Sequence, residues 1–235
     1  MCRYAETYIA TQALPVSSRL RKWRPVTELE MRHFICLTIS MGLTNQQDLS
    51  DYWSKNIVIN MPFYAKVMPR DRFLNILTMF HLADNAQYIP REQPGHNPLY
   101  KLGFFYTSVV ENFGKYWVPN QEITIDEGLV PFDGRIRFKV YNPAKPKKYG
   151  IKSFELCDGQ NAYCCKYRIY TGYDGQPSRK GRTYDTVMSL CEGYTGCGRI
   201  LFVDNFYTSP QLFYDLSLLS TFATGTARAR KEWLL

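Results

Sequence analysis

Local metal-binding motifs are missing from this chain. No CxxC occurs, and the three histidines, His33, His81 and His96, stand at no HxxxH spacing. The sequence therefore argues against a zinc site built from a local motif. The cysteine count, seven, is odd and irregularly spaced, and the adjacent Cys164 and Cys165 would point to opposite faces of a strand. Buried thiols in a reducing compartment are the reading these positions favour. Also lacking is any stretch of the roughly 20 apolar residues that a membrane span requires. The start, Met-Cys-Arg-Tyr-Ala-Glu, has no signal-peptide pattern. A soluble, intracellular chain is expected, with no internal repeat or low-complexity segment.

What is present suits a packed globular protein. The 235 residues are 45% hydrophobic and 15% aromatic, enough for one large or two modest domains. A net charge of +8 with 21% charged residues is a basic bias without a polybasic tail. It favours an anionic partner, nucleic acid ahead of acidic lipid.

The first half reads as helical. Thr27-Glu-Leu-Glu30 fits a capping box, and Leu29, Phe34, Ile35, Leu37 and Met41 recur near helical spacing up to Gly42. A second helix is predicted over Arg70 to Leu82, with Phe73, Ile76, Leu77 and Phe80 as one apolar stripe. Residues 83–98 read as an extended loop, the best candidate internal boundary, before a third helical segment at 99–116. From Gln121 the character turns to β. Strands are expected at 122–126, 151–157 and 162–171, the last two joined by the turn segment Asp158-Gly-Gln-Asn161 as an antiparallel pair. A helix at 181–194, a strand at 199–203, a helix capped by Ser209-Pro210 and a strand at 221–224 follow. The order matches a ribonuclease-H-like mixed α/β sheet with flanking helices, preceded by a mostly helical domain. Its first and fourth strands are neighbours.

Asp126 closes the apolar run Glu122-Ile-Thr-Ile-Asp126, and Asp204 closes Arg199-Ile-Leu-Phe-Val-Asp204. On neighbouring parallel strands these carboxylates emerge side by side, where open α/β sheets place their ligands and where a hard divalent cation finds oxygen donors. Single aspartates also simply end strands and start turns. Seven basic residues lie between positions 135 and 152: Arg135, Arg137, Lys139, Lys145, Lys147, Lys148 and Lys152. They are candidates for phosphate contacts, interleaved with Phe138, Tyr141 and Tyr149 for stacking on an unpaired base. Charge alone leaves a solvated loop equally open, and proximity to Asp126 raises the DNA reading. Pro143 and Pro146 have the structural task of fixing the loop's course. Arg228, Arg230 and Lys231 form a second patch.

Several ordered blocks carry a more specific signal: Thr124-Ile-Asp-Glu-Gly-Leu-Val-Pro-Phe132, Lys145-Pro-Lys-Lys-Tyr-Gly-Ile-Lys152, Val203-Asp-Asn-Phe-Tyr-Thr-Ser209 and Ala223-Thr-Gly-Thr-Ala-Arg228. Together with Leu49-Ser-Asp-Tyr-Trp-Ser54 and Asp71-Arg-Phe73, they resemble the piggyBac family of DDE transposases and the domesticated proteins derived from it. The strand order given above is read with that family in view. The resemblance implies a helical dimerisation and DNA-binding region over residues 1–118 and a ribonuclease-H-like catalytic core over 119–235, acting at transposon ends flanked by TTAA. It implies that Asp126 and Asp204 are the first two catalytic aspartates, bridged by two metal ions, Mg²⁺, which activate a water or DNA 3′-hydroxyl and stabilise the leaving oxygen. The family's third aspartate and its cysteine-rich zinc module have no counterpart before Leu235. Asp215 lies inside a predicted helix too close to Asp204 to stand in. Weak Mg²⁺ binding and no activity as this fragment are therefore expected, as is an uncovered sheet face prone to association.

Three functions follow. The first is a transposase-derived DNA-binding protein; the second is an active metal-dependent transposase or nuclease when full length. The third is a chromatin or protein-interaction module that kept the fold. The expected partner is DNA, transposon-end-like or non-specific, with no membrane; the resemblance favours a homodimer, and the expected location is the nucleus.

Overall fold

The computed structural model describes residues 2–172 and 175–228, and the chain divides into two compact units, Met1–Gln87 and Tyr88–Leu235. Among the described residues no helix is long and apolar enough to cross a membrane.

Among its described residues the first unit holds four α-helices: α1 (Cys2–Thr11), α2 (Glu28–Leu43), α3 (Pro62–Val67) and α4 (Arg70–Met79). α2 starts where its capping box dictates, with Thr27 Oγ1 accepting the Glu30 N–H at 3.1 Å and Glu30 accepting the Thr27 N–H at 3.2 Å. The same Glu30 carboxylate receives the buried Arg72 guanidinium of α4, at 3.0 Å from Nε and 2.8 Å from Nη2. Arg72 also donates to the carbonyls of Arg24 and Pro25, so one side chain ties α4 to the start of α2. The core gathers Phe34 and Leu37 of α2, Tyr64 of α3, Phe73 and Ile76 of α4, and Tyr52 from the 3₁₀ turn Leu49–Trp53.

Two helical expectations need correction. In α2 only Phe34 and Leu37 are buried and Met41 packs against them, whereas Leu29 and Ile35 are 62% and 46% exposed. Phe34 and Ile35 are adjacent, so they stand about 100° apart around the axis and cannot share a face. α4 ends at Met79, short of Leu82; Leu77 is exposed on it, and Phe80 follows as its C-cap with its ring 5.4 Å from that of Phe34.

The second unit begins with the chain before α5 (Gly103–Tyr116) and continues through β1 (Glu122–Pro131), β2 (Lys139–Tyr141), β3 (Tyr149–Asp158), β4 (Cys164–Ile169), α6 (Arg182–Cys191), β5 (Ile200–Val203), α7 (Pro210–Leu218) and β6 (Phe222–Gly225). The six-stranded mixed sheet runs β2-β3-β1-β5-β6, and β4 takes the remaining part of the β3 edge. β1 is antiparallel to β3 and parallel to β5, and β5 is parallel to β6. α5 belongs with this unit through Tyr106, which donates to the Tyr167 carbonyl and accepts the Ile169 N–H.

One sheet face buries Ile123, Ile125, Leu156, Leu201 and Val203 under Val187 and Leu190 of α6 and Leu212 and Leu216 of α7. Full burial of each large aliphatic side chain contributes roughly 1.5–3 kcal/mol. The pairing register puts Phe202 and Phe222 on the opposite face, where they are 39% and 62% exposed. The β3–β4 turn is anchored by Asp158, a buried carboxylate that accepts from Trp117 Nε1, the Asn120 N–H and side chain, and the Gln160 N–H.

The cysteines divide by place. Cys165 and Cys191 are buried, and burial pushes their thiols up to about 11 and about 12, which leaves them inert. Cys157 and Cys164 are half-buried, and Cys36 and Cys197 are exposed, so the expectation of buried thiols holds for only part of the set.

Candidate carboxylate and nucleic-acid site

The parallel β1–β5 ladder decides where the two aspartates go. Its last rung pairs Ile125 with Val203, so the next residue on each strand is Asp126 and Asp204. Both are exposed, just past the point where the parallel pairing of the two strands ends. Asp126 does not end its own strand, however. β1 continues to Pro131 along β3, with Asp126 opposite Glu155, so the aspartate ends one ladder in the middle of another.

Each carboxylate is held by the backbone. Asp126 Oδ1 accepts the Glu127 N–H at 2.7 Å. Asp204 Oδ1 accepts the Phe206 N–H at 2.9 Å and the Tyr207 N–H at 3.4 Å, while its carbonyl takes the Thr208 hydroxyl. That turn carries Tyr207 into the core, where among the described residues its buried hydroxyl makes no hydrogen bond of regular geometry and faces the Glu127 carboxylate. Burial first, and then the Glu127 carboxylate it faces, push the phenol well above its usual range, with smaller contributions from Asp126 and Asp204. A buried hydroxyl in the field of three carboxylates is a fixed polar feature of the site.

A cleft of about 620 Å³ opens next to Asp126 and Glu127, lined by Lys145, Lys152, Arg182, Tyr141 and Phe206 among others. Glu127 pairs with Lys152 at 3.1 Å, and the Lys152 ammonium lies over the Phe154 ring at 4.8 Å and the Phe206 ring at 5.5 Å. Asp215 faces elsewhere, bound by Lys180 at 2.7 Å and by the Tyr184 hydroxyl and Gln211.

The basic stretch is a hairpin. β2 pairs with β3 from Lys139↔Ile151 to Tyr141↔Tyr149, and the intervening loop presents Lys145, Lys147 and Lys148 to solvent. The loop closes on itself through Asn142 N–H to the Lys148 carbonyl at 2.7 Å. At its base the Tyr141 and Tyr149 rings lie 4.9 Å apart, both about half exposed. Phe138 is buried, which removes it from the expected stacking set. Lys139 is occupied by the Gly134 carbonyl and the Tyr149 ring. Arg135 and Arg137 are in the loop before β2. Arg228 is in the segment beside the Asp204 turn, its N–H donating to Asn205 Oδ1, whereas Arg230 and Lys231 lie outside the described residues.

Of the expected basic residues, then, Lys145 and Lys152 line the Asp126 cleft and the others do not. Arg182, the first residue of α6, was not anticipated. Its signal in the sequence is the run Arg179-Lys-Gly-Arg182.

Comparison with known proteins agrees with this architecture. A DDE-transposase family model described as Transposase IS4, the model of piggyBac-type transposases, matches residues 1–233. The chain belongs to the piggyBac-type transposase family. Human PiggyBac transposable element-derived protein 3 is 28% identical over 214 residues, covering 86% of this chain and 34% of that protein. Human PiggyBac transposable element-derived protein 5 is 26% identical over 220 residues, covering 89% of this chain and 41% of that protein. The chain thus spans well under half the length of these relatives. In a cryo-EM structure of a piggyBac transposase synaptic complex with hairpin DNA, the protein superposes with a TM-score of 0.84 at 24% identity, over 99% of this chain and 48% of that one. The likeness extends to the fold, a mixed sheet of ribonuclease-H type with flanking helices. DDE transposases generally use divalent metal ions.

Proposed function

We propose that this chain is a transposase-derived DNA-binding protein whose carboxylate pair is an incomplete catalytic centre. The observation that carries the reading is the cleft that brings Asp126 together with Lys145, Lys152 and Arg182. Lysines on a solvated hairpin supply phosphate contacts, which give affinity and salt dependence more than sequence specificity. Tyr141 and Tyr149 at the hairpin base offer ring faces to an unpaired base. The ligand is DNA, transposon-end-like or non-specific, and nuclear localisation and a homodimer belong to the same reading.

The site fits a divalent metal in chemistry and falls short in number. Asp126 and Asp204 each retain one oxygen, Oδ2, that accepts no backbone hydrogen bond. These hard donors suit Mg²⁺, which would supply Lewis-acid activation of a water or DNA 3′-hydroxyl. Glu127 is occupied by Lys152 and Asp215 by Lys180, so neither completes the set. The Asp126–Asp204 pair by itself would hold Mg²⁺ weakly, and no cleavage is expected of it. A strand-nicking assay with Mg²⁺ or Mn²⁺ tests this; robust cleavage abolished in Asp126→Asn contradicts it. Binding of duplex DNA across a salt series tests the DNA reading separately.

A further inference from the structure

On the face of the sheet that carries Asp126, β3 and β4 assemble a second group of donors. Cys157 and Cys164 are directly paired across the antiparallel β3–β4 ladder, and an irregularity in the ladder falls between Leu156 and Cys157. Glu155, two residues before Cys157, points to the same side. The Glu155 carboxylate and the two sulfurs all lie within 4.8 Å of one another, each half-buried.

We propose that Glu155, Cys157 and Cys164 form a binding site for a thiophilic divalent cation, Zn²⁺, separate from the Asp126–Asp204 pair. Zn–S bonds of about 2.3 Å and Zn–O bonds of about 2.0–2.2 Å put tetrahedral ligands roughly 3.5–3.8 Å apart. The separations, none above 4.8 Å, therefore lie within roughly 1.3 Å of ligation geometry, a closure that side-chain rotation on the hairpin supplies. Two sulfurs select against Mg²⁺ and Ca²⁺ and for Zn²⁺ or its analogues. Three protein ligands leave a fourth position open on the half-buried side, as in zinc sites that accept water or an exogenous ligand.

The local charge points the same way. Asp126 stands opposite Glu155 on this face, and among the described residues neither carboxylate takes part in an ion pair. The nearby cations on β4 are directed elsewhere, Lys166 to the carbonyls of Ser189 and Glu192 and Arg168 to the Thr186 hydroxyl. Glu155 Oε1 accepts the Ser153 hydroxyl at 2.6 Å, and among the described residues no ion pair balances the negative charge on this face. No local motif announces the site, because its ligands come together only through strand register.

The test uses the whole chain, metal-free and kept reduced by a non-chelating phosphine, titrated with Co²⁺ and then Zn²⁺. Expected is thiolate-to-cobalt charge-transfer absorption that saturates at one ion per chain and is displaced by Zn²⁺. The band is lost in Cys157→Ser and in Cys164→Ser. Glu155→Gln weakens binding by at least about tenfold, the scale on which even outer-shell partners act. Cys36→Ser, Cys197→Ser and Asp126→Asn retain the band, and circular dichroism checks the fold of each variant. No charge-transfer band in the reduced wild type overturns the proposal without any variant. So does a band that survives in the Cys157→Ser/Cys164→Ser double variant, and so does loss in Asp126→Asn, which would show that the thiolate site is not separate from the aspartate pair. A Cys157–Cys164 disulfide in protein prepared without reductant, together with no metal uptake after reduction, also overturns it. None of these outcomes bears on DNA binding.

Discussion

Glu127 holds Lys152 in a 3.1 Å ion pair at the wall of the Asp126 cleft, each side chain about a quarter exposed. The pair occupies a cation that the DNA reading assigns to phosphate. Replacing Glu127 by Gln releases it. Tighter duplex binding at low salt is expected, with the salt slope steeper by up to about 0.9, the increment for one more neutralised phosphate. Fluorescence anisotropy at four or more salt concentrations reads both; an unchanged slope would mean that Lys152 does not engage a phosphate.

Tyr207 should be more stable without its hydroxyl. Among the described residues the group is buried with no hydrogen bond of regular geometry, Glu127 being the acceptor it faces, and an unsatisfied buried polar group costs about 1–3 kcal/mol. Tyr207→Phe keeps the ring in the core of the sheet and is expected to raise stability, read from urea unfolding, by about 1 kcal/mol. A loss of stability would show that the hydroxyl has a partner the fold depends on.

Gly150 sits where β3 crosses the end of β1. A Cβ there would collide with the Val130 carbonyl oxygen and press on Leu129 Cγ at 2.9 Å, and the carbonyl is backbone that cannot rotate away. Gly150→Ala should destabilise by about 1–3 kcal/mol through forced separation of the two strands. Chemical denaturation measures it, and a neutral result would mean that the β1–β3 ladder has more room than its register implies.

Acid should loosen each unit through one carboxylate. The Arg72 guanidinium holds Glu30 at about 2 against an ordinary 4.5, and the Asn120 N–H, with three further donors, holds Asp158 at about 2 against 3.8. Folded values below unfolded ones mean that the ionised form stabilises the fold. That contribution is complete above the unfolded value and drains away as pH falls toward 2. Urea midpoints between pH 7 and pH 2.5 should fall steeply below about pH 4.5 in the wild type and less steeply in Glu30→Gln or Asp158→Asn. Parallel curves in wild type and variants would remove these carboxylates from the acid transition.

Much of the second unit was legible in order and type because its strands are short apolar runs punctuated by turn residues, and because Ser209 and Pro210 mark the start of α7. β2 was not legible. Its three residues carry no alternation long enough to read, and it exists because the β3 edge offers partners. The α2 stripe misled because that helix is apolar on more than one face, and periodicity cannot say which face is covered. The two aspartates could be picked out by their contexts, and their adjacency followed from the strand order. That Asp126 lies in mid-strand along β3 did not. Least visible was the Glu155, Cys157 and Cys164 group, since cross-strand register leaves no spacing signature in the chain.

If the β2–β3 hairpin presents a DNA-binding surface, its three loop lysines must carry phosphate affinity. Duplex-DNA anisotropy across a salt series, with and without Mg²⁺, decides this by comparing the wild type with Lys145→Ala/Lys147→Ala/Lys148→Ala. Salt-sensitive binding by the wild type is expected, together with weaker binding by the variant. The variant's salt slope should be shallower by up to about 0.9 for each phosphate it no longer neutralises. Absence of binding at low salt, or a variant indistinguishable from wild type, would contradict the assignment of this hairpin to DNA.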